Sequence, residues 1–290
     1  MNDLKLAFRQ LGKNPGFTLI VVVTLAIGIG AITSMYSVVN TVLLNPFPYP
    51  DSNRLVRVFT DPTHRRFRTP LSIPDLLDWQ KQSQSFEYLG LVNYVPLTVL
   101  IGERAPRVKA LKASSTLFSA LEVKPVLGRI FTAEEDRPNG DLTLLLSYDL
   151  WQSRFAADPN IIGRQIAVAS DFLEGSPVQC TVVGVLPEDF HPAFCEGFEG
   201  TQCWVSLSII KERFTQPNSY IGAVVAKLRP GITVSRAQAE MNGIAAQMVT
   251  QDPGRDEGVR VVSLRDELVK DVDTTVWILF AAVGCLLMIV

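Results

Sequence analysis

Apolar and polar positions divide the chain into two hydrophobic ends and a polar middle. One uncharged apolar run covers residues 16–44, and a second covers residues 274–290, the last in the chain. As a helix the first run would be about 43 Å long, whereas the hydrocarbon core of a bilayer is about 30 Å thick. The pattern predicts a transmembrane helix with a stalk over residues 15–46, and the truncated start of a second transmembrane helix over residues 274–290.

The first run is too long for a cleaved signal peptide, whose apolar region is typically about 7–15 residues. Residues 1–14, which precede it, place Leu4, Ala7, Phe8 and Leu11 on one helical face. This predicts a short amphipathic segment on the membrane surface, and a solvated terminus is the alternative. Basic residues flank the first run on both sides, so charge alone leaves its orientation open.

Small residues recur at every fourth position of the first run, at Ala26, Gly30 and Ser34. Such a stripe lets another helix approach closely, so it predicts a helix-packing surface. Ordinary glycine usage in a membrane helix is the alternative. The letters GIGAIT in the same run do not indicate a nucleotide-binding loop, because no strand precedes them.

The polar middle, residues 47–273, alternates between strand and helix patterns. Residues 54–60 alternate in hydrophobicity as a strand does. Ser72 then resembles the N-cap of a helix, with Asp75 three positions later and Pro74 in the first turn. Three residues are expected on the apolar side of this helix: Leu76, Leu77 and Trp79.

The same order of elements returns near the end of the middle domain. Residues 223–228 and 259–264 have strand patterns, and residues 235–251 between them have a helical pattern. Two separated β-α-β units predict an α+β fold with a split ferredoxin-like subdomain. The residues between the units, about 114–207, are expected to form an inserted β-rich subdomain. Its predicted strands are residues 142–147, 165–169 and 178–186, with a helix over residues 148–155.

Charge and motifs exclude several classes of function. The formal net charge of −2 argues against a nucleic-acid-binding protein, which usually has a basic excess. The sequence contains no G-x-x-x-x-G-K-[ST] phosphate loop, no G-x-S-x-G elbow and no H-E-x-x-H pair. We therefore expect no catalytic residue, no cofactor and no ATPase activity of its own. The acidic run at residues 134–136 predicts a solvated helix start.

The cysteines leave three alternatives open. If the middle domain is extracytoplasmic, Cys195 and Cys203 could close a short loop as a disulfide. Unrelated thiols are a comparable alternative, since Cys180 would be left without a partner. Zinc bound by these three cysteines and His191 is the weakest alternative, because the spacing lacks a tight C-x2-C knuckle.

Several stretches, taken in order, resemble the permeases of the MacB/FtsX-like ABC transporter family. They are FRQLGKNPGFTLIVVVTLAIGIG, SIPDLLDWQKQSQSFE, VLGRIFTAEED, LSYDLWQSRF, IIGRQI, TVVGVLPEDF and AKLRPGITVSRAQAEM, followed by the start of the second apolar run. Each stretch is weak alone, but their order and spacing make the combination specific. The resemblance covers residues 2–290.

The resemblance implies a cytoplasmic position for residues 1–14 and a periplasmic core domain over residues 47–273. It implies the bacterial inner membrane as location, contact with membrane lipid, and a homodimer or pseudo-dimer that works with an ABC ATP-binding subunit. Family members have at least four membrane spans. The chain is therefore expected to be the N-terminal part of a permease, or the product of a truncated gene.

The leading hypothesis is a permease subunit that transmits ATP hydrolysis by a partner to motion of an extracytoplasmic domain, for export or substrate extraction. The second hypothesis is a membrane-anchored regulatory or scaffold protein that acts on envelope partners such as cell-wall hydrolases. A membrane-anchored enzyme is the third, and has the weakest support because the chain contains no catalytic grouping.

Overall fold

A computed structural model describes residues 15–39, 47, 49–61, 72–100, 107–169, 177–190, 200–209, 222–251 and 258–269. The chain divides into two compact units. The larger unit is Tyr49–Glu267, and the smaller one contains the first helix, α1 (Pro15–Val39). The amphipathic segment predicted for residues 1–14 and the second apolar run at residues 274–290 lie outside the described residues.

Helix α1 contains 25 residues and no charged side chain. Its large apolar side chains are exposed along its length, as Leu19, Ile20 and Ile29 illustrate. Thr24 donates a hydrogen bond to the Ile20 carbonyl one turn back, at 2.6 Å, which satisfies its hydroxyl within the helix. Within the described ranges, no helix reaches the combination of length and apolar character needed to cross a membrane. The transmembrane helix over residues 15–46 stays a prediction.

The larger unit contains ten strands and five helices among its described residues. The strands are β1 (Leu55–Asp61), β2 (Phe86–Leu100), β3 (Arg107–Ala113), β4 (Leu127–Gly128), β5 (Thr143–Leu146), β6 (Gln165–Ala169), β7 (Val178–Val185), β8 (Cys203–Val205), β9 (Ala223–Leu228) and β10 (Gly258–Ser263). The helices are α2 (Ile73–Gln82), α3 (Ser115–Ala120), α4 (Tyr148–Phe155), α5 (Val234–Gln251) and α6 (Leu264–Val269), which continues two residues past the unit. Single 3-10 turns lie at Ser52–Arg54 and Pro159–Ile161.

Four antiparallel strands follow the order β10-β1-β9-β2. Helix α2 connects β1 to β2, and α5 connects β9 to β10, so two β-α-β units interleave in one sheet. Buried side chains of α2, α5 and alternate strand positions form one apolar core, to which Trp79, Met241 and Leu91 belong. The mixed α/β fold predicted from the sequence is confirmed.

A second group of strands forms a closed ring. Its pairings run β2-β3-β8-β5-β7-β6 and return to β2. The side chains on one face of every strand belong to the buried core and fill the interior of the ring. They include Leu97, Val99, Ala110, Leu144, Leu146, Ile166, Val168, Cys180, Val182, Cys203 and Val205.

Strand β2 is shared by both groups, since its first half pairs with β9 and its second half with β3 and β6. Its 15 residues are long for a strand, for which five or six residues are typical. Because β2 and β3 precede residue 114, the ring is not confined to the predicted insertion of residues 114–207.

Helix α2 begins as predicted and packs slightly differently. The Ser72 hydroxyl accepts a hydrogen bond from the Asp75 amide, at 3.3 Å, so the N-cap is confirmed. Ile73, Leu76 and Trp79 are at most 2% exposed, but Leu77 is 38% exposed. The prediction that Leu77 faces the core is wrong, because a spacing of three residues keeps the other three side chains on one face and turns Leu77 away.

Candidate functional site

The chain enters and leaves the larger unit through neighbouring strands. β1 begins at Leu55 and β10 ends at Ser263, and the two strands are antiparallel, with Val56 opposite Ser263. The first and last residues of the unit's sheet therefore lie at one end of it. Charged and aromatic side chains cluster at this end, and we describe them as the candidate functional site.

Arg54 fixes the residues that lead into β1. Its guanidinium donates hydrogen bonds to the Asp51 carboxylate at 2.6 Å, to Glu87 at 3.1 Å and to the Leu228 carbonyl at 2.9 Å. The hydrogen bond from Arg54 and its positive charge lower the pKa of Asp51. One side chain thus connects the leading residues to the start of β2 and the end of β9.

Lys227 is a buried cation at the end of β9, with a side chain only 1% exposed. Its ammonium lies 2.5 Å from a Glu122 oxygen and 3.9 Å from an Asp51 oxygen. Asp51 and Glu122 both have a φ of 52°, which is uncommon for residues other than glycine. Two tight turns therefore present carboxylates to one ammonium, and a buried charge needs such partners.

A further ion pair connects the first strand of the unit to its last helix. The Arg57 guanidinium on β1 lies 3.6 Å from the Glu267 carboxylate on α6. Both side chains are largely buried, with 25% and 16% exposed. The pair fixes the residues that follow β10 against the strand that opens the unit.

Aromatic rings form a second set of contacts beside the ion pairs. The ring of Tyr49, the first residue of the unit, lies 6.1 Å from that of Phe190. Phe190 in turn lies 6.1 Å from Phe118 on α3 and 5.3 Å from Trp204 on β8, measured between ring centroids. Burial, and secondarily the charge of Asp189, raise the pKa of the Tyr49 phenol, so it stays neutral.

The acidic run at residues 134–136 forms turns, and the prediction of a solvated helix start is wrong. Glu135 is buried, because it accepts hydrogen bonds from both terminal nitrogens of Arg129, at 3.1 and 2.8 Å, and from the Thr132 amide at 2.7 Å. Asp136 accepts from the Ser115 amide at 2.9 Å and from its hydroxyl at 2.6 Å. Burial raises the pKa of Asp136 to about 6.

The predicted cysteine and metal sites are only partly within the described residues. Cys180 and Cys203 are buried in the ring interior, and burial raises the pKa of both thiols. Cys195 and His191 lie outside the described residues, so the disulfide between Cys195 and Cys203 stays a prediction. Among the described residues, no three His, Cys, Asp or Glu side chains come together as metal ligands.

The small-residue stripe lies on α1, where Ala26, Gly30 and Ser34 are all exposed. Apart from its chain neighbours and the backbone of its own helix, no atom of the described residues lies within 4 Å of a methyl group added at Gly30. The three small residues are therefore accessible on α1, and the packing role of the stripe stays a prediction.

The sequence patterns did not single out the residues of the candidate site. Of these residues, Lys227 has a recognisable sequence pattern, because a lysine interrupts the otherwise apolar strand AVVAKL. A charge in a buried strand indicates a partner but does not identify it. Its partner Glu122 lies 105 positions away in the sequence.

Several solved structures are similar to this fold, and three of them are compared with it. A domain of a protein assigned as a permease from Porphyromonas gingivalis has a TM-score of 0.54 and 13% identity, covering 74% of this chain and 92% of that chain. The periplasmic region of MacB from Actinobacillus actinomycetemcomitans has a TM-score of 0.52 and 13% identity, with 77% and 94% covered. The extracellular domain of the noncanonic ABC-type transporter YknZ from Gram-positive bacteria has a TM-score of 0.50 and 13% identity, with 72% and 99% covered.

At 13% identity these likenesses describe the fold alone. A search of curated proteins found no match. The sequence profile of the MacB-like periplasmic core domain matches residues 18–244, which is more than half of the chain. The chain therefore belongs to the family of the MacB-like periplasmic core domain.

Proposed function

We propose that the chain is a permease subunit of a MacB/FtsX-like ABC transporter. In this proposal, ATP hydrolysis by a partner subunit moves the unit Tyr49–Glu267 outside the cytoplasm, for export or substrate extraction. The observation that carries the proposal is the pairing of β1 with β10, through which the chain enters and leaves the unit at one end. A domain held at one end by two neighbouring connections is suited to being moved as a body.

Each part of the chain has a proposed location relative to the membrane. Residues 15–46 and 274–290 are the membrane spans, and residues 1–14 lie on the cytoplasmic surface of a bacterial inner membrane. The unit between them is extracytoplasmic, in line with two structures of similar fold, one a periplasmic region and the other an extracellular domain. Its four-stranded part is a ferredoxin-like subdomain, and the insertion of about residues 114–207 supplies β5, β6, β7 and β8 to the β-rich part.

The stripe of Ala26, Gly30 and Ser34 is the surface through which the first span packs against other helices of a homodimer or pseudo-dimer. Small residues allow helices to approach closely in a membrane, where van der Waals packing stabilises the contact. No residue of the chain needs to carry out covalent chemistry, since the partner subunit supplies ATP hydrolysis.

Spin labels on the outer units test the proposed coupling. Asp149 on α4 is exposed and suits a cysteine substitution. Cys195 and Cys285 are replaced by serine, while Cys180 and Cys203 are buried and can stay. The protein is reconstituted with its ATP-binding subunit in lipid nanodiscs, and the distance between labels on two units is measured by pulsed EPR with ATP or ADP.

We expect the distance distribution to differ between the two nucleotides. A matched complex whose ATP-binding subunit cannot hydrolyse ATP controls for binding without turnover, and it should not cycle between the two distributions. Identical distributions with ATP and ADP in the active complex would show that the coupling is wrong.

A further inference from the structure

We propose that α3 receives the motion of residues 49–54 through two separate contacts, one ionic and one aromatic, and passes it to the closed ring of strands. This inference rests on the proposed function. It names Glu122 and Tyr49 as positioning residues, because neither needs to touch a transported substrate.

The ionic contact runs from Asp51 through Lys227 to Glu122. Lys227 is buried between the two carboxylates, so moving either one away would remove one of the two opposite charges beside a buried ammonium. Such a change is costly, and the three groups therefore tend to move together. Glu122 lies two residues after the end of α3, and its amide donates to the Ser119 carbonyl at 3.2 Å.

The aromatic contact runs from Tyr49 through Phe190 to Phe118. Phe190 also packs against Trp204 on β8, so this contact reaches a strand of the ring directly. Tyr49 and Asp51 are two positions apart in the leading residues, and Phe118 and Glu122 are four positions apart at the end of α3. The same two short segments are thus joined twice, by different chemistry.

Helix α3 is itself fixed to β2, the strand shared by the sheet and the ring. The Thr116 hydroxyl donates to the Leu89 carbonyl at 2.9 Å, and the Ser114 hydroxyl accepts from the Leu91 amide at 2.8 Å. A methyl group at Gly90 would come within 2.5 Å of the Leu117 Cα atom, so the helix lies directly on the strand. These contacts lie in the half of β2 that pairs with β9, and the same strand continues into the ring, so a displacement of α3 reaches the ring along β2.

The test uses the labelled nanodisc complex described above and compares Glu122→Gln, Tyr49→Leu and the double variant with wild type. Tyr49→Phe keeps the aromatic ring, and Lys124→Gln changes an exposed residue near the end of α3. We expect each disruptive single variant to lower the ATP-dependent distance change about twofold, and the double variant to abolish it. The two control variants, Tyr49→Phe and Lys124→Gln, should retain the wild-type response.

Circular dichroism and the basal ATPase rate of each complex separate loss of relay from loss of folding. If the double variant does not fold, the inference is tested by the two single variants alone. Tyr49→Leu should then weaken the distance change, whereas Tyr49→Phe should not. A wild-type complex without a nucleotide response overturns the proposed function and this inference with it. A responsive wild type together with equally responsive, folded disruptive variants overturns the inference alone.

Discussion

At the scale of single residues, Lys227 and Glu122 differ in how much of each side chain reaches water. Lys227 is 1% exposed and Glu122 is 48% exposed. Replacing Glu122 leaves a buried cation whose other carboxylate partner in the described structure, Asp51, is 3.9 Å away. Replacing Lys227 instead leaves a carboxylate that water can solvate. The two halves of one ion pair should therefore contribute unequally to stability.

We expect Glu122→Ala to lower the free energy of unfolding by about 1–3 kcal/mol, because it leaves the buried ammonium without its nearer carboxylate. Lys227→Met should lower it by less than about 1 kcal/mol, because it replaces the buried cation with an apolar side chain. Urea denaturation followed by tryptophan fluorescence measures both. Lys124→Met, at an exposed position, is the control and should change little. Equal losses from the two variants would contradict this account.

Asp136 should give the protein a specific dependence on pH. Its pKa is raised from 3.8 to about 6 by burial, so the folded state holds a proton that the unfolded state releases in this range. The contribution of this group to stability is present below pH 3.8 and is lost as the pH rises through about 6. Between pH 3.8 and about 6, we expect this group to lower the free energy of unfolding by about 2–3 kcal/mol.

Comparison of Asp136→Asn with wild type isolates this contribution. The difference in unfolding free energy between the two proteins should vary with pH between about 4 and 6. Asp149→Asn, at an exposed site on α4, should instead run parallel to wild type. A pH-independent difference for Asp136→Asn would mean that this carboxyl titrates in its ordinary range.

At the scale of elements, the contact between α3 and β2 depends on Gly90. An added methyl group would lie 2.5 Å from the Leu117 Cα and 2.6 Å from its amide nitrogen. These are backbone atoms, so relief requires the helix and the strand to separate. The close approach explains why a six-residue helix can be held firmly enough to serve as the proposed relay.

We expect Gly90→Ala to destabilise the protein by about 1–3 kcal/mol, as overpacking in a core does, and to speed amide exchange in α3. Beyond its own helix and chain neighbours, Gly243 in α5 has no atom of the described residues within 4 Å of an added methyl group, and alanine is the better helix former there. Gly243→Ala should therefore be neutral or stabilising by up to about 1 kcal/mol. Thermal unfolding and hydrogen exchange of both variants provide the comparison, and similar effects would contradict the packing argument.

At the scale of the whole molecule, the proposed topology places the larger unit outside the cytoplasm. The variant Asp149→Cys, in a background with Cys195 and Cys285 replaced by serine, should react with a membrane-impermeant maleimide in intact cells. The remaining cysteines, Cys180 and Cys203, are buried free thiols and should stay unlabelled in the parent background. Labelling of Asp149→Cys only after cell lysis would place the unit on the other side of the membrane.

Local patterns predicted much of this molecule before any tertiary contact was considered. The predicted bounds of β9, β6 and α4 coincide with the observed ones, because alternation in strands and capping at Ser147 are properties of a few neighbouring residues. Leu77 was predicted wrongly, because its position on α2 depends on which side of the helix meets the sheet. The acidic turn was predicted wrongly for a similar reason, since Arg129 is what allows Glu135 to be buried.

Sequence patterns alone predicted the family, the mixed α/β fold and the bounds of several elements, because these depend on the order of short motifs and on periodicities of two or 3.6 residues. The tertiary structure alone decided that β2 is shared between sheet and ring, that β6 closes the ring on β2, and that Glu122 and Asp51 meet Lys227. These contacts join residues far apart in the chain, and their formation depends on the whole fold bringing the partners together. Periodicity contains no information about such partners, so the candidate site emerged only with the fold.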